Sequence, residues 1–173
     1  TSTLTQLQSL TLTQTRKDIT YTAKICTVDE YLAICKQYNV FPVIELKWGI
    51  GLNNNDMTLF PELYALIEKH GLVEEAVILT SMQQSIEYIR QHYPQLTCQW
   101  LRHQVQDTDY EWCQQWDVTL SMPHTAVTEE VIARSKQIGK DVATWTVNRI
   151  EDYQRVKDLG CKYVTTDYLV INQ

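Results

Sequence analysis

Pro42-Val43-Ile44-Glu45-Leu46-Lys47 is a short apolar run with a carboxylate and an ammonium set two residues apart, and its reading decides the fold. Asn39 and Pro42 end a helix-like segment before it, and the Gly49 to Asp56 stretch after it, with its consecutive asparagines, is the most loop-like part of the chain. The run therefore reads as a strand. Alternate side chains of a strand share a face, so Val43, Glu45 and Lys47 point one way while Ile44, Leu46 and Trp48 point the other. The second set is expected to pack under helices, which leaves the charged pair on the opposite face.

The same grammar repeats outward from this strand. Upstream, Thr27 is placed to cap a helix carrying Asp29, Glu30 and the apolar Tyr31, Leu32, Ile34 and Cys35. Downstream, a helix near Pro61 to His70 stops at Gly71, and the strand Ala76 to Ser81 follows. A helix from about Met82 to His92 ends before Pro94, ahead of the strand Thr97 to Leu101. A helical patch around Tyr110 to Gln115 leads to the strand Asp117 to Ser121. Thr128, Glu129 and Glu130 open a helix that closes at Gly139, before the strand Val142 to Val147. A last helix near Ile150 to Leu159 closes at Gly160, and the strand Tyr163 to Thr166 comes after it.

Six apolar strands, each reached through a helix, imply a parallel sheet, because parallel neighbours need a crossover and helices must cover the sheet. A doubly wound open sheet and a (β/α)₈ barrel both satisfy this. No glycine-rich phosphate loop follows any strand, which removes the main support for a nucleotide-binding open sheet. Strand centres recur at about twenty to thirty-five residues, compatible with a TIM-type barrel's average of roughly thirty per unit. The expectation is that barrel, with about its first two strand-helix units lying upstream of Thr1. A start at Thr1 without an initiator methionine fits a removed leader, tag or upstream segment.

Composition bounds the rest. With 173 residues, 44% of them hydrophobic, and no dividing linker, residues 1–173 read as a single domain. The formal net charge is -6 and the basic residues are scattered, so there is no footprint for nucleic acid or an anionic membrane surface. Five cysteines without a Cys-x-x-Cys pair argue against a zinc ribbon, a redox motif or a fully paired disulfide framework, and point to mostly buried thiols. No apolar stretch reaches the length of a membrane span and no signal peptide is apparent, so a soluble protein is expected, with the cytoplasm the favoured compartment.

At the C-terminal mouth of a barrel, where this fold places its sites, Glu45 suits a hard divalent cation and Lys47 an anionic oxygen. The same spacing fits an internal salt bridge, and spacing leaves both readings open. Other strands end in small polar groups: Thr80-Ser81, Ser121, Thr144 to Asn148, and Thr165-Thr166-Asp167. As a ring they would line one polar pocket with Trp145 as an apolar wall, whereas each taken singly reads as turn or capping chemistry, Asp167 included. His70 and His92 sit in the last turns of helices and read as structural. His103 and His124 follow strands without a metal-spaced partner and read as exposed loop residues. No nucleophile elbow is present.

The order of motifs resembles the glycerophosphodiester phosphodiesterase family, barrel enzymes related to the phosphatidylinositol-specific phospholipases. The resemblance runs through Cys26 to Leu32, Val43 to Lys47, Ile78 to Met82, Val142 to Asn148 and Gly160 to Asp167, and spans residues 20 to 170. Its most specific part is Trp145-Thr146-Val147-Asn148 followed by a glycine-ended helix and Thr166-Asp167.

The resemblance implies a metal-dependent phosphodiesterase of lipid metabolism that cleaves glycerophosphodiesters to glycerol 3-phosphate and an alcohol. It makes Glu45 a ligand of a divalent cation, Ca²⁺ or Mg²⁺, and Lys47 a contact of the phosphate region. Trp145 would line the substrate pocket. Ser81 stands at the family's usual Ser-Phe strand end, with Met82 in place of the Phe. The family's two catalytic histidines, in His-Arg-Gly and His-Asp motifs, and its Glu-x-Asp metal pair match no residue here, so they are expected on a missing N-terminal segment of the same protein. Without a general acid and base the chain alone is expected to be inactive. The alternatives are a non-catalytic barrel module, binding or structural, that lost the histidines, and some other βα-barrel hydrolase or isomerase.

Overall fold

A computed structural model describes residues 2–16, 18–47, 51 and 56–167, so Trp48 and most of the Gly49 to Asp56 stretch lie outside the described residues. The chain opens with α1 (Leu4–Ser9), β1 (Thr11–Arg16) and β2 (Ile19–Lys24). β1 and β2 pair antiparallel, Thr11 opposite Lys24 and Arg16 opposite Ile19, and form a sheet of their own. This hairpin has no counterpart in the sequence reading. Every side chain of β2 is exposed, so no alternation of buried and polar positions marks it, and no Asn-Gly or Asp-Gly marks its turn.

Beyond the hairpin, helix and strand alternate: α2 (Val28–Tyr38) with β3 (Val43–Glu45), α3 (Phe60–Lys69) with β4 (Val77–Thr80), and α4 (Gln83–His92) with β5 (Thr97–Leu101). Then α5 (Asp107–Trp116) precedes β6 (Thr119–Pro123), a 3₁₀ turn (His124–Ala126) and α6 (Glu129–Gln137) precede β7 (Val142–Trp145), and α7 (Ile150–Leu159) precedes β8 (Tyr163–Val164). The strands β3 to β8 form one sheet in sequential order, every neighbouring pair parallel. The six expected strands are all present, and the sheet curls into part of a TIM-type barrel with its helices outside.

Local chemistry explains the helix boundaries. At the start of α2, Thr27 Oγ1 accepts from the Glu30 N–H at 3.2 Å and the Glu30 carboxylate accepts from the Thr27 N–H at 2.7 Å, a reciprocal capping box. Thr128 Oγ1 caps α6 by accepting from the Val131 N–H. Gly160 ends α7 at φ 96°, a left-handed value that an L side chain resists. Several boundaries differ from expectation: β3 ends at Glu45 and β7 at Trp145, short of the Lys47 and Val147 that their apolar runs suggested. The patch at Tyr110 to Gln115 is a longer helix, because Asp109 accepts from the Gln106 N–H at 2.8 Å and starts it early. Asp117 closes that helix at φ 56° and pairs with Arg90 and Lys140, so β6 begins two residues later than its sequence pattern suggested.

The helix-facing side of the sheet holds the core, with Ile78 and Leu120 packed against Leu32, Phe60, Ile67 and Ile86. All five cysteines are free: Cys35, Cys98 and Cys113 are buried, Cys161 is half-buried and Cys26 is exposed. No helix among the described residues is long and apolar enough to cross a membrane.

Candidate functional site

Strand register carries one face across the whole sheet. Residues paired between neighbouring strands point the same way, and the Cα partners run Glu45 to Leu79, Leu79 to Gln99 and Leu101 to Ser121. They continue from Ser121 to Ala143 and from Pro123 to Trp145. Glu45, Leu79, Leu101 and Trp145 therefore share the inner face, while Ile44 and Leu46 turn toward the helices, Leu46 being 6% exposed.

At the C-terminal ends of these strands lies a cavity of about 380 Å³ lined by Glu45, Leu79, Ser81, Leu101, His103, Trp145, Thr146 and Thr165. The wall is part apolar, from two leucines and an indole, and part polar. Glu45 is exposed on it, and among the described residues it forms no ion pair with Lys47, so the internal salt bridge that spacing allowed is not made. Lys47, two residues on, is exposed and stands outside the cavity lining. The polar side chains of Glu45, Ser81, Thr146, Thr165 and His103 form no hydrogen bond within the described residues. A concave site with convergent, uncommitted polar groups is what a small-molecule ligand requires.

The expected ring of hydroxyls is only partly formed. Ser81, Thr146 and Thr165 reach the cavity, but Thr80 and Thr144 fall on the helix-facing side and are fully buried. There each hydroxyl donates to a carbonyl of the preceding strand's end, Thr80 to Leu46 at 2.6 Å and Thr144 to Met122 at 3.0 Å. The period-two alternation explains the split. Ser121 is on the inner face but 2% exposed, in a layer beneath the cavity. Asn148 joins the ends of β7 and β8: its Nδ2 donates to Asp167 at 2.8 Å and its Oδ1 accepts from the Asp167 N–H at 3.0 Å. Asp167 thus ties the ends of β7 and β8 together, and the segment that it would cap lies outside the described residues.

Trp145 is half-buried, and its Nε1–H is buried without a hydrogen-bond partner among the described residues. The His103 ring stands edge-on to the indole, centroids 5.3 Å apart at 89°. His103 is exposed, as its loop position suggested, yet it is also a cavity wall, a role that one strand's sequence could not reveal because the partner is Trp145. His124 departs from expectation: it is half-buried in the 3₁₀ turn, its carbonyl accepts from Arg155 at 2.6 Å, and its Nδ1 lies 3.7 Å from Asp152. His70 and His92 are structural, bonded to Asp29 and to the Tyr88 carbonyl.

A hard divalent cation takes six or so oxygen ligands, often several carboxylates. Among the described residues no group of three His, Cys, Asp or Glu side chains converges, and Glu45 is the one carboxylate on the cavity wall. These residues therefore do not make a complete metal site by themselves. Glu45 fits as a single ligand.

A parallel βα sheet with a cavity at the C-terminal strand ends defines a barrel-type protein with a candidate site at the strand mouths. The chain belongs to the glycerophosphoryl diester phosphodiesterase family, whose model matches residues 1–170. No curated protein sequence matches it. A glycerophosphodiester phosphodiesterase from Parabacteroides distasonis superposes with a TM-score of 0.77 at 16% identity, over 96% of this chain and 67% of its own. A phosphodiesterase from Oleispira antarctica, solved in complex with the product sn-glycerol-3-phosphate, gives 0.72 at 15% identity, over 84% and 58%. A structure from Silicibacter pomeroyi gives 0.68 at 20% identity, over 86% and 54%. The chain thus spans about half to two thirds of the length of these proteins, and at such identities they share its fold.

Proposed function

We propose that this chain supplies the substrate side of a metal-assisted hydrolysis of glycerophosphodiesters to glycerol 3-phosphate and an alcohol. The observation that carries the reading is the strand-end cavity, where Glu45, Ser81, His103, Thr146 and Thr165 converge beside the indole of Trp145 and make no side-chain hydrogen bond among the described residues. In this reading Lys47 offers its ammonium to the phosphate oxygens, Ser81 a hydroxyl to the substrate, and Trp145 an apolar wall to the carbon skeleton. A divalent cation, Ca²⁺ or Mg²⁺, is part of the proposal, with Glu45 as one ligand and the others outside the described residues. Water adds to phosphorus, the P–O bond to the alcohol breaks, and the alcohol leaves with a proton. That step needs a general acid and base. The proposal assigns them, with the remaining ligands, to an N-terminal segment of the same protein carrying the family's histidines.

The test is release of glycerol 3-phosphate from glycerophosphocholine by the full-length protein. Turnover should vanish with chelator and return with Ca²⁺ or Mg²⁺. Glu45→Gln should cost at least the roughly 10- to 100-fold that loss of a metal site's supporting contact costs. Absence of metal-dependent turnover in the full-length protein overturns the reading. It would favour the non-catalytic barrel module, which has one observation in its support: no three potential metal ligands converge among the described residues.

A further inference from the structure

We infer that His103 is a specificity-determining residue that hydrogen-bonds the hydroxyl-bearing glycerol end of the ligand and forms, with Trp145, one wall of its subsite. The inference rests on the glycerophosphodiester reading above and assigns that substrate's orientation in the cavity.

Position comes first. His103 stands two residues past Leu101, the last residue of β5, and so continues that strand's inward face to the cavity rim. Its neighbour Arg102 anchors the loop. The Arg102 N–H donates to the Ser121 carbonyl at 3.0 Å, its guanidinium donates to Asp109 at 2.9 Å, and the same group lies 4.6 Å over the Trp100 ring. The loop's cation is therefore committed elsewhere, and the imidazole alone faces the cavity.

The ring's partners are the second point. The other three histidines each have a ring nitrogen near a polar group: His70 at 2.7 Å from Asp29, His92 at 2.8 Å from the Tyr88 carbonyl, and His124 at 3.7 Å from Asp152. His103 touches Trp145 edge-on and has no hydrogen-bond partner among the described residues. The aromatic contact orients the ring, and neither nitrogen is hydrogen-bonded among the described residues. A neutral imidazole has one donor and one acceptor, the pair that a hydroxyl can use at once, while the indole face beside it takes C–H groups.

Placement across the cavity fixes which end of the ligand is meant. Glu45 and Lys47 belong to the β3 end of the sheet, and His103 and Trp145 to β5 and β7, with Leu79 and Ser81 of the β4 segment between. In the reading above, a cation held by Glu45, with the Lys47 ammonium beside it outside the cavity lining, draws the phosphate to the β3 side. The polyol then extends toward the imidazole and the indole.

Calorimetric titration of the full-length protein with glycerol 3-phosphate and with inorganic phosphate tests this. The wild type should bind glycerol 3-phosphate more tightly than phosphate. His103→Ala should weaken glycerol 3-phosphate by roughly 3- to 10-fold, the effect of one hydrogen bond, and leave phosphate unchanged. His103→Asn, which keeps a donor and an acceptor, should recover part of the preference. A preference unaltered in His103→Ala overturns the inference, and so does an equal loss for both ligands. A wild type that binds neither ligand overturns the parent reading, and the inference falls with it.

Discussion

The Thr80 hydroxyl donates to the Leu46 carbonyl at 2.6 Å and accepts from the Met82 N–H at 3.2 Å, locking the end of β3 to the end of β4. The hydroxyl is fully buried and so is its bond to Leu46, which leaves that carbonyl without water when the hydroxyl is removed. Thr80→Val keeps the shape and deletes both bonds. Stranding buried polar groups costs about 1–3 kcal/mol, and urea unfolding should show a loss of that size. Thr80→Ser should retain most of the stability. Because Glu45 immediately precedes Leu46, the valine variant should also lower metal-dependent turnover; wild-type stability in Thr80→Val would refute the staple.

Helices α2 and α3 are joined by Asp29, whose carboxylate accepts from Lys69 Nζ at 2.9 and 3.0 Å and lies 2.7 Å from His70 Nε2. The hydrogen bonds from Lys69, then from His70, hold its pKa below the ordinary value of 3.8. A carboxylate with a depressed folded pKa contributes stability above its unfolded pKa and loses it as pH falls through the folded value. Asp29→Asn should therefore melt lower than wild type at neutral pH, with the gap closing as pH drops below 3.8. A gap that persists unchanged into strong acid would remove the ionic contribution.

What the sequence disclosed follows from what kind of signal each element leaves. Thr27, Thr128, Gly139 and Gly160 speak through local chemistry, and each stands at the helix end where that chemistry places it. The sheet's strands speak through apolar runs, and Glu45 through alternation along one of them. The hairpin of β1 and β2 is silent because its described side chains are all exposed. The split between Thr80 and Ser81 shows that alternation is legible but its phase is not, until the packing of Ile78 fixes which face is inside. His103 was hidden for another reason: its contact with Trp145 spans β5 to β7, a relation that exists only once the sheet has curled.

The thiols offer a test of the fold that does not involve activity. Burial pushes the Cys98 and Cys113 thiols up to about 12, and Cys35 is also buried, whereas Cys26 is exposed. Reaction requires the thiolate and access to it. In native protein, labelling by a maleimide followed by mass spectrometry should modify Cys26 first, with Cys161 slower and the three buried thiols protected until unfolding. Early modification of Cys98 or Cys113 would contradict the packing of α4 and α5 on the sheet.

Trp145 sets the site's demands against the fold's. Its indole N–H is buried without a partner among the described residues, a feature that costs about 1–3 kcal/mol where no bond is made. Trp145→Phe removes that donor and also removes apolar surface, so the two effects on stability oppose each other, and the melting temperature should change little. The proposed ligand wall does not have this compensation. A phenyl ring is smaller than the indole that His103 packs against at 5.3 Å, so it leaves the imidazole less firmly oriented. Calorimetry should therefore show weaker glycerol 3-phosphate binding in a variant that unfolds like the wild type. A variant that binds normally but melts many degrees lower would make Trp145 a core residue and not a wall of the site.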